Sequence, residues 1–233
     1  MIGDFTSSGI GDLMKVAKNK IDFGAPALAY IEEKRFEKKL GRSLSKDHNA
    51  RPTSWGNLCE IYFYTKKEMP LSVEVLNKIR FSHRDLAWSG APDGLDGDMV
   101  IDLKSPYTMK SFCQLSECKT AEDLLKLNHL YFWQLVSNAI LIEQERGIKV
   151  NNAKLIVFCP QKRELYDIRE VARTTNLLRP SETRWLEYAE DDELPYLVEG
   201  SEYKSIYELE FEIKKEWKDA LIENVKKALN YER

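Results

Sequence analysis

The segment Met99-Val100-Ile101-Asp102-Leu103-Lys104 constrains this chain more than any other stretch. Its apolar, β-branched character predicts a strand, and side chains on a strand alternate between two faces. Asp102 and Lys104 therefore share one face, while Ile101 and Leu103 point into a core. An acid and a lysine at i and i+2 are costly to bury unless something pairs with them. A metal ion for the carboxylate and a phosphate or water for the ammonium would meet that need. An edge strand with one solvated face is the simpler alternative, and the strand alone does not decide between them.

The text before it bears on that choice. Gly90 and Gly94 bracket Asp93 in Gly90-Ala91-Pro92-Asp93-Gly94-Leu95, as expected where backbone turns sharply or approaches a ligand. A hairpin turning through Asp96-Gly97-Asp98 would return the Asp93 strand alongside Asp102. The two carboxylates could then share one hard cation through oxygen ligands.

Around this centre, residues 7–19 predict a short helix capped by Ser7 or Ser8. Residues 26–40 predict a stronger one, with Pro26 in its first turn and Gly41 as its stop. Thr53 or Ser54 is the expected cap of a third, which carries Glu60. Short β-type stretches at Lys78–Ser82, Asp85–Ser89 and Met99–Lys104 predict a meander. A long helix is expected from Thr120 to Arg146, ended by Gly147. Ala153–Cys159 reads as a buried strand, Leu165–Val171 as another, and Ser205–Asn230 as a charged amphipathic helix. Together these predict one α/β domain over residues 1–233, a mixed sheet flanked by helices.

Composition narrows the function. The net charge of −3 over 233 residues argues against a passive DNA-coating protein, whose affinity comes from neutralising phosphates. It leaves room for an enzyme whose acids hold divalent cations. The four cysteines lack the spacing of a zinc site and read as free thiols. No apolar run spans a membrane and the start lacks a signal-peptide pattern, so no membrane partner and a cytoplasmic location are expected. His48, His83 and His129 are scattered and pair with no nucleophile. The run Lys34, Arg35, Lys38, Lys39, Arg42 and Lys46, interleaved with Glu32, Glu33 and Glu37, reads first as a solvated helix face and second as a DNA-backbone contact.

Pro92-Asp93 followed by Asp102-Leu103-Lys104 is the motif of PD-(D/E)XK nucleases, and the wider text resembles the lambda-type phage exonucleases, or YqaJ-like viral recombinases. That family shows Ser-Pro-Asp-Gly-Leu and then acid-Leu-Lys-Cys-Pro; here stand Ala91-Pro92-Asp93-Gly94-Leu95 and Asp102-Leu103-Lys104-Ser105-Pro106. Trp55-Gly56-x-x-x-Glu60, Tyr131-x-x-Gln134 and Thr6-Ser7-Ser8 match further family motifs in the right order. The resemblance implies a restriction-endonuclease-like core and a nuclease using Mg²⁺, with Mn²⁺ as a substitute, at one or two ions per site. Asp93, Asp102 and the Leu103 carbonyl would be metal ligands, with Glu60 a direct or water-mediated ligand of a second ion. Lys104 would orient or deprotonate the attacking water and stabilise charge on the phosphate. Tyr131, Gln134 and Asn138 fall on one helix face, where Gln134 would join the metal–water network or make a structural hydrogen bond. Ser7, Ser8, Lys110 and Tyr131 are the candidates for contacting DNA and a terminal phosphate. The family also carries an arginine before Thr-Ala-Ser that nothing here matches, so a strict 5′-phosphate requirement is not carried over. By resemblance the substrate is a duplex DNA end, digested 5′→3′ by a ring-shaped trimer that works with a single-strand annealing protein. A repair or restriction endonuclease and a non-catalytic DNA-binding module on the same fold are the rival readings.

Overall fold

Met99–Lys104 is indeed a strand, and it lies inside a sheet, not at its edge. The computed structural model describes residues 2–18, 22–44, 51–66 and 79–231. Asn19, Lys46, His48 and Lys78, each part of a sequence expectation above, lie outside the described residues. In chain order the elements are β1 (Phe5–Thr6), a 3₁₀ turn at Ile10–Met14, α1 (Ala25–Leu40), α2 (Arg51–Lys66), β2 (Phe81–Ser82), β3 (Trp88–Gly90), β4 (Gly94–Asp96) and β5 (Met99–Lys104). There follow α3 (Met109–Ser116), α4 (Ala121–Leu127), α5 (His129–Arg146), β6 (Asn152–Phe158), α6 (Leu165–Thr174), α7 (Pro180–Thr183), β7 (Ile206–Glu212) and α8 (Lys215–Leu229).

The larger sheet has the order β4-β5-β6-β7, with β5 and β6 parallel and both outer pairs antiparallel. The expected meander is instead split between two sheets, because β2 and β3 join β1 in a separate three-stranded unit. Alternation along β5 feeds two cores. Val100 packs with Phe132, Val136 and Ile140 of α5, whereas Ile101 and Leu103 pack with Trp55, Leu58 and Phe63 of α2 and Leu165 and Ile168 of α6. With both faces covered, the solvated-edge alternative for Asp102 is removed: the residue is 0% exposed.

Several local expectations are corrected. The predicted helix at 7–19 is only the five-residue 3₁₀ turn Ile10–Met14, preceded by Gly9 with no side-chain cap. The third helix already includes Arg51, so Ser54 is buried within it and does not cap it. The long helix breaks at Asn128, whose non-helical backbone ends α4 and whose side chain accepts from the Tyr131 amide to start α5. Leu165–Val171 is helical, not a strand: Leu165, Ile168 and Val171 are buried at a spacing of three, which packs one helix face onto α2. Within Ser205–Asn230, Ile206–Glu212 is a strand that pairs with the whole of β6, and the helix starts only at Lys215. Pro26, Gly41 and Gly147 do mark their helices as expected, the two glycines sitting at φ 66° and 68°. All four cysteines are free. Among the described residues no helix is long and apolar enough to cross a membrane.

The basic run is not wholly solvated. Lys34 is buried and its ammonium lies 2.9 Å from Glu37 Oε2, while Ser43 Oγ and the Leu44 amide donate to Oε1 at 2.9 and 2.8 Å. Glu37 thus fastens the chain that leaves α1. Burial alone would raise its pKa, but these donors, Lys34 first, hold it at about 2, below the ordinary 4.5. A carboxylate depressed in the folded state contributes stability above its unfolded pKa and loses it as pH falls towards the folded value. Glu37→Gln is therefore expected to cost about 2 kcal/mol at pH 7. The gap from wild type should narrow as denaturant titrations move from pH 5 to pH 3. A gap independent of pH would show that the charge of Glu37 does not matter.

Candidate active site

The site is assembled by the β4–β5 hairpin. Asp96 pairs with Met99, and Gly97 takes φ 58° in the tight turn between them, a conformation that favours glycine. The register Gly94↔Ile101 sets Asp93 beside the Asp102–Leu103 peptide. The Leu103 amide donates to Asp93 Oδ2 at 2.9 Å, while the Leu103 side chain packs on the opposite face against α2 and α6. Asp102 points towards α5. There Gln134 Nε2 donates to Asp102 Oδ1 at 2.9 Å, so the polar stripe on α5 reaches the carboxylate directly. Lys104 Nζ stands 2.7 Å from Asp102 Oδ2 and 5.1 Å from the centre of the Tyr131 ring.

The electrostatics follow from burial. Removal from water, followed by the charge of Asp93, drives the Asp102 pKa up, and Lys104 opposes that rise. Burial would lower the Lys104 pKa, but Asp102 and Asp93 outweigh it and hold the ammonium form. Although Lys104 is close enough for an ion pair, Asp102 Oδ2 is buried and accepts no aligned hydrogen bond. Two neighbouring carboxylates, one of them fully buried, suit a hard divalent cation. Among the described residues no three histidine, cysteine or acidic side chains close into a cage. One or two carboxylates, completed by water and substrate oxygens, is the usual protein share for Mg²⁺.

The other candidates are distributed unevenly. Glu60 is half-buried on α2, outside any tight cluster with the two aspartates. Ser7 is corrected as a DNA contact: it is 2% exposed and its hydroxyl lies 2.7 Å from that of Ser137, so it faces the interior. Ser8 is exposed and its hydroxyl is 3.2 Å from that of Thr6, but the short turn after it is not the helix start expected there. Lys110 is exposed on the first turn of α3, just beyond β5. His83 stacks on Trp88 and His129 lies 3.8 Å from Asp12, neither beside Asp102.

One residue escaped the motif reading. Tyr64, one turn after Glu60 on α2, donates its hydroxyl to the backbone carbonyl of Asp93 at 2.9 Å. Burial, then the charges of Asp93, Glu60 and Asp102, hold its pKa well above the ordinary tyrosine value, so it remains a donor. The i, i+4 spacing from Glu60 was the available signal, because it places both residues on one helix face.

The acid–lysine constellation thus sits on a mixed α/β core, a four-stranded sheet flanked by helices. No protein-family model matches the sequence, and no curated protein matches it. Solved structures do share the fold. A phage-related exonuclease from Haemophilus somnus 129PT superposes with a TM-score of 0.64 at 16% identity, covering 98% of this chain and 92% of that one. The alkaline exonuclease LHK-Exo from Laribacter hongkongensis superposes with a TM-score of 0.55 at 14% identity, covering 98% and 87%. The same values hold for LHK-Exo in complex with dAMP. At these identities the likeness establishes the fold.

Proposed function

We propose that the protein is a divalent-metal-dependent exodeoxyribonuclease of the lambda-type phage exonuclease family. It digests one strand of linear duplex DNA from its end, 5′→3′, leaving single strands for recombination. The observation that carries this reading is the Asp93–Asp102–Lys104 group, with Asp102 fully buried and Asp93 and Lys104 half-buried, backed by Gln134, on a fold shared with exonucleases. Asp93 and Asp102 hold the cation, Mg²⁺ or Mn²⁺, and Glu60 contributes to a second ion or to its water. When bound, the cation supplies Lewis acidity at the scissile phosphate. Leu103 keeps Asp93 oriented through its amide and offers its carbonyl to the ion. Gln134 fixes the rotamer of Asp102 so that Oδ2 faces the reaction. Lys104 orients the attacking water and places positive charge where the phosphate gains negative charge. Tyr131 supports the Lys104 ammonium from below, and Ser8 and Lys110 contact the DNA backbone near the end. The enzyme works in the cytoplasm as a ring-shaped trimer with a single-strand annealing protein.

Digestion of linear duplex labelled at either end, with and without a 5′-phosphate, tests the reading when run beside nicked and closed circles. We expect loss of the 5′ label first, little difference between phosphorylated and unphosphorylated ends, no cleavage of closed circles and no activity in EDTA. Cleavage of closed circles would replace the exonuclease by an endonuclease. Digestion that persists in EDTA would remove the metal from the mechanism.

A further inference from the structure

β4 has three residues and, among the described residues, sits at the edge of its sheet, paired with β5 alone. Asp93 lies just before it, where an edge strand is most prone to fray. The Leu103 amide restrains the Asp93 carboxylate from the β5 side. The Tyr64 hydroxyl restrains the Asp93 main chain from the α2 side, through a bond spanning 29 positions of sequence. Tyr64 and Glu60 share one face of α2, so the same contact that pins Asp93 also sets the distance between the Glu60 helix and the hairpin.

We propose that Tyr64 is a positioning residue for the carboxylate site, holding Asp93 in line with Asp102 through its hydrogen bond to the Asp93 carbonyl. The inference rests on the metal-binding reading of Asp93 and Asp102 given above. Residues that hold metal ligands from behind typically change metal affinity by about 10–100-fold when altered. Tyr64→Phe keeps the ring packed against Phe63 and the α2 core and removes only the bond to the Asp93 carbonyl. Affinity for the ion is therefore the quantity that Tyr64 should control.

The test is calorimetric titration of the full-length protein with Mn²⁺ in the absence of DNA, for wild type, Tyr64→Phe and Asp102→Asn, each with a metal-free melting curve. We expect Tyr64→Phe to weaken Mn²⁺ binding by at least about tenfold, with a metal-free melting temperature close to wild type. In digestion assays the half-saturating Mg²⁺ concentration should rise by a similar factor. Asp102→Asn should abolish Mn²⁺ binding. If Asp102→Asn loses the ion while Tyr64→Phe binds it within about twofold of wild type, the positioning role fails and the metal reading stands. If Tyr64→Phe lowers the metal-free melting temperature together with the affinity, Tyr64 belongs to the fold alone and the proposal is overturned. If Asp102→Asn binds Mn²⁺ as tightly as wild type, the metal reading fails and takes the role of Tyr64 with it.

Discussion

Replacing Lys104 by alanine is expected to lower Mg²⁺-supported digestion of linear duplex DNA by at least about a hundredfold, the size of a lost general-base or electrostatic contribution. Lys104 stands 2.7 Å from the fully buried Asp102, and its side chain keeps 17% exposure. A phosphate entering there meets the ammonium before it meets any other charge of the β5 strand. Lys104→Met keeps the apolar stem over Tyr131 and removes only the charge, so it should fail as badly as alanine. Turnover within about tenfold of wild type in either variant would remove Lys104 from the reaction. The alanine variant also leaves Asp102 without its counter-charge at 0% exposure, so its metal-free melting temperature should fall. Saturating Mg²⁺ should restore much of that loss, because the ion replaces the missing positive charge.

Gly90→Ala is expected to be the most damaging single-methyl change to the fold. A Cβ at Gly90 would stand 2.0 Å from Ser7 Oγ, 2.5 Å from Asn138 Oδ1 and 2.9 Å from Leu141 Cδ1. Of the three, Ser7 is the one fixed by a hydrogen bond. The Ser7 hydroxyl is tied to Ser137 at 2.7 Å, and Ser137 also accepts from Trp88 Nε1 at 2.9 Å, so one buried hub joins β1, β3 and α5. Overpacking usually costs about 1–3 kcal/mol, and disturbing the hub places this case near about 3 kcal/mol. For a chain of this size that is a fall of roughly 6–12 °C in melting temperature. Gly56→Ala is the control, because a Cβ there meets nothing within 4 Å and the residue lies within α2. Relieving a helical glycine should stabilise by up to about 1 kcal/mol. Opposite signs for the two substitutions would confirm that Gly90 is kept for space; a neutral Gly90→Ala would show that Ser7 and Asn138 can repack.

The same hub explains one failed expectation. Ser7 and Ser8 look equivalent as letters, and either seemed able to face a phosphate. β1 pairs in parallel with β3, Phe5 to Trp88 and Thr6 to Ser89, and that pairing carries Ser7 inward. Likewise Leu165, Ile168 and Val171 stand three apart, a spacing that a helix gathers on one face and a strand splits between two. Packing against α2 selected the helix. Ile206–Glu212 reads as part of a charged helix until β6 presents a full unpaired edge for it to join.

The β5 strand divides what the chain spells locally from what folding adds. Its alternation, the turn at Gly97, the motif order around Asp93, Asp102 and Lys104, and the limits of α1 at Pro26 and Gly41 are local properties. They depend on backbone preference and on neighbours a few residues away, so they survive in the linear text. The burial of Asp102, the Gln134 bond to it and the Tyr64 bond to Asp93 join partners 32 and 29 positions apart. The covering of both faces of β5 by α5 on one side and by α2 and α6 on the other likewise joins distant segments. Such contacts exist only once the apolar faces have packed. Tertiary packing alone therefore turned an acid–lysine pair that an edge strand would have left in water into an ion pair whose carboxylate is fully buried.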